Sequence, residues 1–287
     1  MKLSLFGDPE RARRVGRALA RSGLVEKLVS ADPQMAAVVE ILRKLGFKEG
    51  ALFIVGVALV SYMLSRKGEE HWALAASSAR APYWEALTSF VESSPSLARL
   101  RRQRLARLST YLEHAKRFES LLEAPEVDLD AFHSLLVRAM GSSADSKTAA
   151  FAAKMLLYSC LASGRRFTGG WSIPMPVDIR VALVSLTSGM VRGWNCSSDL
   201  LALASELRSR WRPKLISLWN LASEEAGTPP VVLDAAVWVP GGCIEEYLRT
   251  GSPLRRCVEQ LVGGEEDYVA PLEELWGALS ACGERAD

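Results

Sequence analysis

The sequence has no CxxC pair and no cysteine beside histidines at metal-ligand spacing; its five cysteines, Cys160, Cys196, Cys243, Cys257 and Cys282, stand far apart. That excludes zinc ribbons, zinc fingers and iron–sulfur motifs, whose ligands recur a few residues apart, and no metal or other cofactor is expected. A glycine-rich phosphate loop after a strand is also missing, which removes the common nucleotide-binding folds. No apolar run has membrane length: the most hydrophobic segment, Gly50 to Val60 (GALFIVGVALV), is shorter than the roughly 18 to 20 residues a spanning helix needs. It is expected in a core, with no membrane association. The opening MKLSLFGDPERARR contains no export signal, so the expectation is an intracellular protein with mostly free thiols, although the cytoplasm of a hyperthermophile would permit one or two disulfides. Bulk charge is lacking too. At a formal net charge of +2, any contact with a polyanion has to come from local clustering.

What is present is helical punctuation. The 287 residues are 49% apolar and 24% charged, enough to bury a substantial core. Long period-2 alternation is absent, so the expected fold class is all-α. Asp8-Pro9 and Asp32-Pro33 read as N-caps followed by proline at the first helical position, with Gly23 and Gly46 as stops. Further helices are expected over about Lys48 to Arg66, Glu69 to Ser78, Pro82 to Glu92, Ser96 to Leu122, Leu129 to Met140 and Ser146 to Ala162. The glycine- and proline-rich stretch Ser163 to Val177 is the clearest break in composition and marks a subdomain boundary. Beyond it helices are expected over Ile179 to Arg192, Ser198 to Ala226 and Pro229 to Val239, then shorter ones to an acidic end.

Candidate chemistry and binding concentrate in four places. Leu129 to Ala162 reads helix, short turn, helix, and the small polar turn at Gly141, Ser142 and Ser143 has backbone amides suited to an anion such as a DNA phosphate. An ordinary helical hairpin explains the same spacing. On the second helix Lys147, Phe151 and Lys154 share one face. Lys147 lies in the first turn, where the helix dipole disfavours a cation and so favours the neutral amine that a nucleophile requires. The plainer alternative is a solvated Lys147 with Lys154 snorkelling to the surface.

Asp178 follows the stiff run Ile173-Pro-Met-Pro-Val and precedes an apolar helix. It reads as an N-cap, and a carboxylate held by backbone amides is also able to stabilise positive charge developing on a sugar. Asp234 is the lone carboxylate in VVLDAAVWV, with Trp238 four residues on and on the same face. An acceptor beside an aromatic platform suits a purine ring; an edge-exposed aspartate beside a core tryptophan is the alternative. The run containing Arg99, Arg101, Arg102, Arg104, Arg107, Lys116 and Arg117 is either a nucleic-acid backbone contact or a solvated helix face.

Five segments taken together, ADPQ from Ala31, LVSYMLSRKGEEHW from Leu59, SKTAAFAAK from Ser146, IPMPVDIRVA from Ile173 and GTPPVVLDAAVW from Gly227, resemble the archaeal 8-oxoguanine DNA glycosylase/AP lyase family of the helix-hairpin-helix glycosylase superfamily. The serine-rich hairpin replaces the superfamily's common glycine-valine-glycine turn, and beyond Pro240 little matches. The resemblance implies Lys147 as nucleophile and Asp178 as catalytic carboxylate. It also implies Gln34, Trp72, Phe151, Lys154, Asp234 and Trp238 around a flipped-out 8-oxoguanine, with Phe151 and Trp238 against its ring faces. The implied fold has two helical subdomains, 35–163 carrying the hairpin and 1–34 plus 164–287, with the active site in the cleft between them. A monomer acting on damaged DNA without an obligate protein partner is expected. The alternatives are the same chemistry on another damaged or mispaired base, or a non-catalytic helical nucleic-acid-binding module.

Overall fold

A computed structural model describes residues 4–282. Their regular structure is fifteen α-helices, two short helical turns and two pairs of two-residue strands, an all-α fold. The chain divides into two compact units: one joins the residues up to Ala31 with those from Pro174 onward, and the other is Asp32–Ile173.

In chain order, the first unit opens with α1 (Pro9–Leu19) and α2 (Leu24–Ala31). The second unit holds α3 (Pro33–Val60), α4 (Gly68–Ser78), α5 (Tyr83–Ser93), α6 (Arg101–Glu113), α7 (Ala115–Glu123), α8 (Leu129–Ala139) and α9 (Lys147–Ser163). The first unit resumes with α10 (Ile179–Thr187), α11 (Leu200–Arg210), α12 (Arg212–Ala226), α13 (Pro230–Thr250), α14 (Leu254–Leu261) and α15 (Glu266–Glu273). The boundaries read from sequence, after residues 34 and 163, lie instead after Ala31 and Ile173. Gln34 therefore belongs to the second unit. The physical reason is Asp32, which caps α3 through the Gln34 amide (2.9 Å) and accepts a hydrogen bond from Tyr158 of α9 (2.7 Å).

Apolar positions account for the packing. In the first unit α1 lies along α12, and a Cβ at Gly16 would overlap the backbone carbonyl of Ala222, so the two helices approach at the distance only glycine allows. Around them Val15, Leu19, Leu28, Leu183, Trp219, Val237 and Leu275 are buried, and the Trp219 indole donates to Ser185 Oγ (2.9 Å). In the second unit the apolar run Gly50–Val60 is the buried half of α3, packed along α9. Among the described residues no helix is long and apolar enough to cross a membrane. Residue Gly46, expected as a helix stop, has φ 72° and joins two helical stretches within α3.

Several element ends differ from the sequence expectation. The helix expected to run to Arg66 ends at Val60, and the one expected over Ser96 to Leu122 is broken at Leu100 and at His114. Both early breaks surround one side chain. Arg104, read as a member of a solvated or DNA-facing arginine run, is fully buried. Its guanidinium donates to the carbonyls of Val60 (3.0 Å), Leu97 (3.2 Å), Tyr62 and Met63 (3.4 Å), which satisfies the carbonyls left open where α3 stops. Met63 (φ 48°) and Leu100 (φ 53°) are the two non-glycine residues with left-handed backbone among the described residues, a conformation that costs about 1 to 3 kcal/mol at each. Nearby, His71 is buried between Ser96 Oγ (Nδ1, 2.8 Å) and Ser61 Oγ (Nε2, 2.7 Å), and desolvation pushes its pKa down to about 4, with the Arg104 charge adding to the effect.

In the first unit α13 runs ten residues past Pro240, where a stop was expected. The expectation of mostly free thiols is also corrected. Cys196–Cys282 and Cys243–Cys257 are disulfides, the second joining α13 to α14, and Cys160 alone is free and buried.

Candidate active site

Each unit presents part of the predicted constellation. In the second unit, α8 closes at the hairpin with Gly141 in the left-handed region (φ 57°). The Gly141 amide donates to the Arg138 carbonyl (3.2 Å) and the Ser142 amide to that of Val137 (3.1 Å). Those two amides are therefore engaged in ending α8 and do not face a phosphate as expected. The Ser142 hydroxyl oxygen is buried and has no hydrogen-bond partner among the described residues.

Ser146 stands at the N-cap of α9 without a side-chain capping bond, and Lys147 opens the helix. Lys147 is exposed and makes no ion pair or hydrogen bond among the described residues. One and two turns on, the same face carries Phe151, half-buried, and Lys154, buried. Lys154 does not snorkel to the surface. Its ammonium lies 3.5 Å from Asp32 Oδ2, the carboxylate oxygen that also accepts from Tyr158, and 5.0 Å from the Tyr158 ring centroid. A lysine that deep requires an opposite charge, because desolvating an unpaired ammonium is prohibitive. Gln34, on the first turn of α3 beyond the same Asp32, is buried with its Oε1 accepting no hydrogen bond among the described residues. Trp72 of α4 is buried and meets the Phe151 ring edge-on at 6.3 Å. Asp32 and Tyr158 were missed as members of this group. The spacing of Tyr158, four residues after Lys154, was the available signal.

In the first unit, Asp178 caps α10. Its Oδ1 accepts from the amides of Arg180 (2.9 Å) and Val181 (3.0 Å), and its Oδ2 accepts from Trp238 Nε1 (2.9 Å). Three donors thus fix the carboxylate in position and direction. The Arg180 guanidinium lies over the Trp238 ring at 4.2 Å and is paired with Glu245 at 3.1 Å. One face of Trp238 is covered by this cation. Asp234, one turn before Trp238, is buried, not edge-exposed.

A depression of about 1220 Å³ in the first unit, lined by Arg11, Arg192, Arg255, Glu273 and Glu274, contains none of the predicted site residues. Of its arginines, Arg11, Arg192 and Arg255 are held by Glu274, Asp8 and Glu273 respectively. The arginine-rich run of the second unit divides as well: Arg104 is buried, Arg107 lies 5.9 Å from the Tyr62 ring centroid, and Arg99, Arg102, Lys116 and Arg117 are exposed.

A family model described as N-glycosylase/DNA lyase matches residues 16–271. An N-glycosylase/DNA lyase of Pyrobaculum aerophilum is 28% identical over 247 residues, covering 81% of this chain and 86% of that protein. Another, of Aeropyrum pernix, is 27% identical over 247 residues, covering 81% of this chain and 83% of that protein. The crystal structure of the 8-oxoguanine DNA glycosylase from Pyrobaculum aerophilum complexed with 8-oxoguanosine matches with a TM-score of 0.70 at 25% identity, covering 93% of this chain and 97% of that one.

Proposed function

This chain belongs to the N-glycosylase/DNA lyase family designated AGOG, and we propose that its substrate is 8-oxoguanine in DNA, with Lys147 as nucleophile and Asp178 as the catalytic carboxylate. The likeness over nearly the whole chain to a glycosylase solved with 8-oxoguanosine carries the choice of lesion.

In this reading the damaged nucleotide leaves the base stack, since the sugar carbon cannot be attacked inside the duplex. The Lys147 amine adds to C1′ as the bond from C1′ to the base breaks, the base leaving with the bonding electrons and collecting a proton. Opening of the sugar ring gives a Schiff base between Lys147 and C1′. Loss of a proton from C2′ then expels the 3′ phosphate by β-elimination. Asp178 stabilises the positive charge that develops on the sugar and assists proton movement. Support for that role comes from its fixation by two amides and the Trp238 indole, because a preoriented charge need not reorganise as the reaction proceeds. Gln34, Trp72, Phe151, Lys154, Asp234 and Trp238 surround the base; Gln34 Oε1, buried and lacking a donor among the described residues, suits an N–H of the oxidised purine. A monomer is part of the same proposal, since one flipped-out nucleotide requires one site.

Borohydride trapping on a duplex containing 8-oxoguanine tests the reading. Wild type is expected to give a covalent protein–DNA adduct, Lys147→Gln none, and an undamaged duplex none. Retained DNA binding with neither adduct nor base release from wild type would overturn it in favour of a non-catalytic binding module. Adduct formation on another lesion but not on 8-oxoguanine would overturn the substrate alone.

A further inference from the structure

Three residues of the first unit form a closed ring of contacts, Asp178, Arg180 and Trp238. The Arg180 amide donates to Asp178 Oδ1 (2.9 Å), the Trp238 indole donates to Asp178 Oδ2 (2.9 Å), and the Arg180 guanidinium lies over the Trp238 ring at 4.2 Å. Arg180 therefore reaches the carboxylate twice, directly through its backbone and indirectly through the ring that its side chain covers. Behind it stands Glu245 of α13. Its Oε2 accepts from Arg180 Nε (3.1 Å), while its Oε1 accepts from Arg249 Nη2 (2.9 Å).

The surface of α13 leaves room for this side chain. Gly241 and Gly242 follow one another inside the helix, where glycine is the poorest former after proline. A Cβ at Gly241 would lie 3.3 Å from Arg180 Cβ and 3.2 Å from Val184 Cγ2, and one at Gly242 would lie 3.5 Å from Arg180 Cζ. The two glycines thus open the strip along which Arg180 extends. Stability does not account for the arrangement: an ion pair open to water adds little, and consecutive glycines weaken the helix that carries it. A cation over an indole face, by contrast, restrains the ring and draws electron density from its N–H, which strengthens donation to Asp178.

We propose that Arg180, clamped by Glu245, is a positioning residue for base excision: it fixes the Trp238 ring, and through Trp238 Nε1 the direction of the Asp178 carboxylate. The proposal rests on Asp178 as the catalytic carboxylate and is independent of which lesion is excised. Positive charge developing on the sugar is best stabilised by a carboxylate already aimed at it, so loss of the clamp falls on the rate of base release and spares binding.

Three readouts test it: single-turnover base release from a lesion duplex, lesion affinity in a Lys147→Gln background, and solvent exchange of the Trp238 indole N–H. The last is followed by its proton resonance, identified by its loss in Trp238→Phe, and needs no chemistry. Arg180→Met is expected to slow base release about tenfold while affinity changes by less than about threefold, and to speed the exchange severalfold. Arg180→Lys, which keeps a cation over the ring, is expected to recover most of both. Arg180→Met combined with Trp238→Phe is expected to be no slower than Trp238→Phe alone, because both act on one hydrogen bond. Losses that multiply in the double variant, an unchanged rate or exchange in Arg180→Met, or a loss that Arg180→Lys does not recover would overturn the proposal. Wild type that released no base from any lesion would sink the proposed function and the positioning role together, and faster indole exchange in Arg180→Met would then leave only the clamp on Trp238.

Discussion

Trp238 Nε1 donates to Asp178 Oδ2 at 2.9 Å, so the carboxylate proposed to act on the sugar is oriented by the aromatic ring proposed to meet the base. The two roles are coupled through one hydrogen bond. Trp238→Phe keeps a ring and removes the donor. It is expected to slow single-turnover base release roughly tenfold, about 1.4 kcal/mol, with lesion affinity changed far less. An equal loss in affinity and rate would mean that Trp238 serves stacking alone.

Asp32 caps α3 and faces both Lys154 and Tyr158. Asp32→Asn keeps most of the shape and removes the negative charge beside a buried ammonium, so it is expected to destabilise the protein by roughly 2 to 5 kcal/mol. Tyr158→Phe, which deletes a single hydrogen bond to the same carboxylate, is expected to cost about 1 kcal/mol. Thermal melts of the two variants check both the order and the gap.

His71 gives a pH dependence with a definite sign. Its pKa is about 4 in the folded chain against an ordinary value of 6.5, chiefly through desolvation. The unfolded chain therefore takes up the proton first. Stability from this group is complete above about pH 6.5 and is lost as pH falls through about 4, up to about 3 kcal/mol in all. Urea midpoints at pH 7.5 and pH 4 are expected to differ by less in His71→Gln than in wild type.

The disulfides close loops of 14 and 86 residues. A chain-entropy account gives about 3 kcal/mol for the shorter and about 4 to 5 kcal/mol for the longer. Reduction under mild denaturant is expected to lower the unfolding midpoint, and Cys196→Ser with Cys282→Ser is expected to cost more than the pair Cys243→Ser with Cys257→Ser.

Local signals were legible in the sequence. Asp8, Asp32 and Asp178 cap the helices they were expected to cap, and each accepts from an amide two or three residues on. Fold class and family followed from such caps and from five short segments. What depends on distant partners was not legible. No glycine or proline marks the break at Leu100, because Arg104 and the loop it holds impose it from outside the local sequence. Pro240 suggested a stop, yet burial of Val239, Gly241 and Ile244 carries α13 through it. The partners of Asp32 and Asp178 lie 126 and 60 residues away, beyond any spacing rule. Cysteine pairing failed for a related reason: the inference came from compartment and spacing, whereas the bonds follow from proximity in the fold.

The first unit takes helices from both ends of the chain, with α1 packed on α12. During synthesis α1 emerges early and has to wait for a partner nearly two hundred residues behind it, while every helix of the unit Asp32–Ile173 is already outside the ribosome. Vectorial production therefore favours completion of the central unit before the outer one, and leaves Ala12, Val15 and Leu19 uncovered in the interval. A nascent chain arrested before residue 212 would present that stripe to chaperones, and one arrested far enough past residue 226 for α12 to clear the exit tunnel would have the helix with which to cover it.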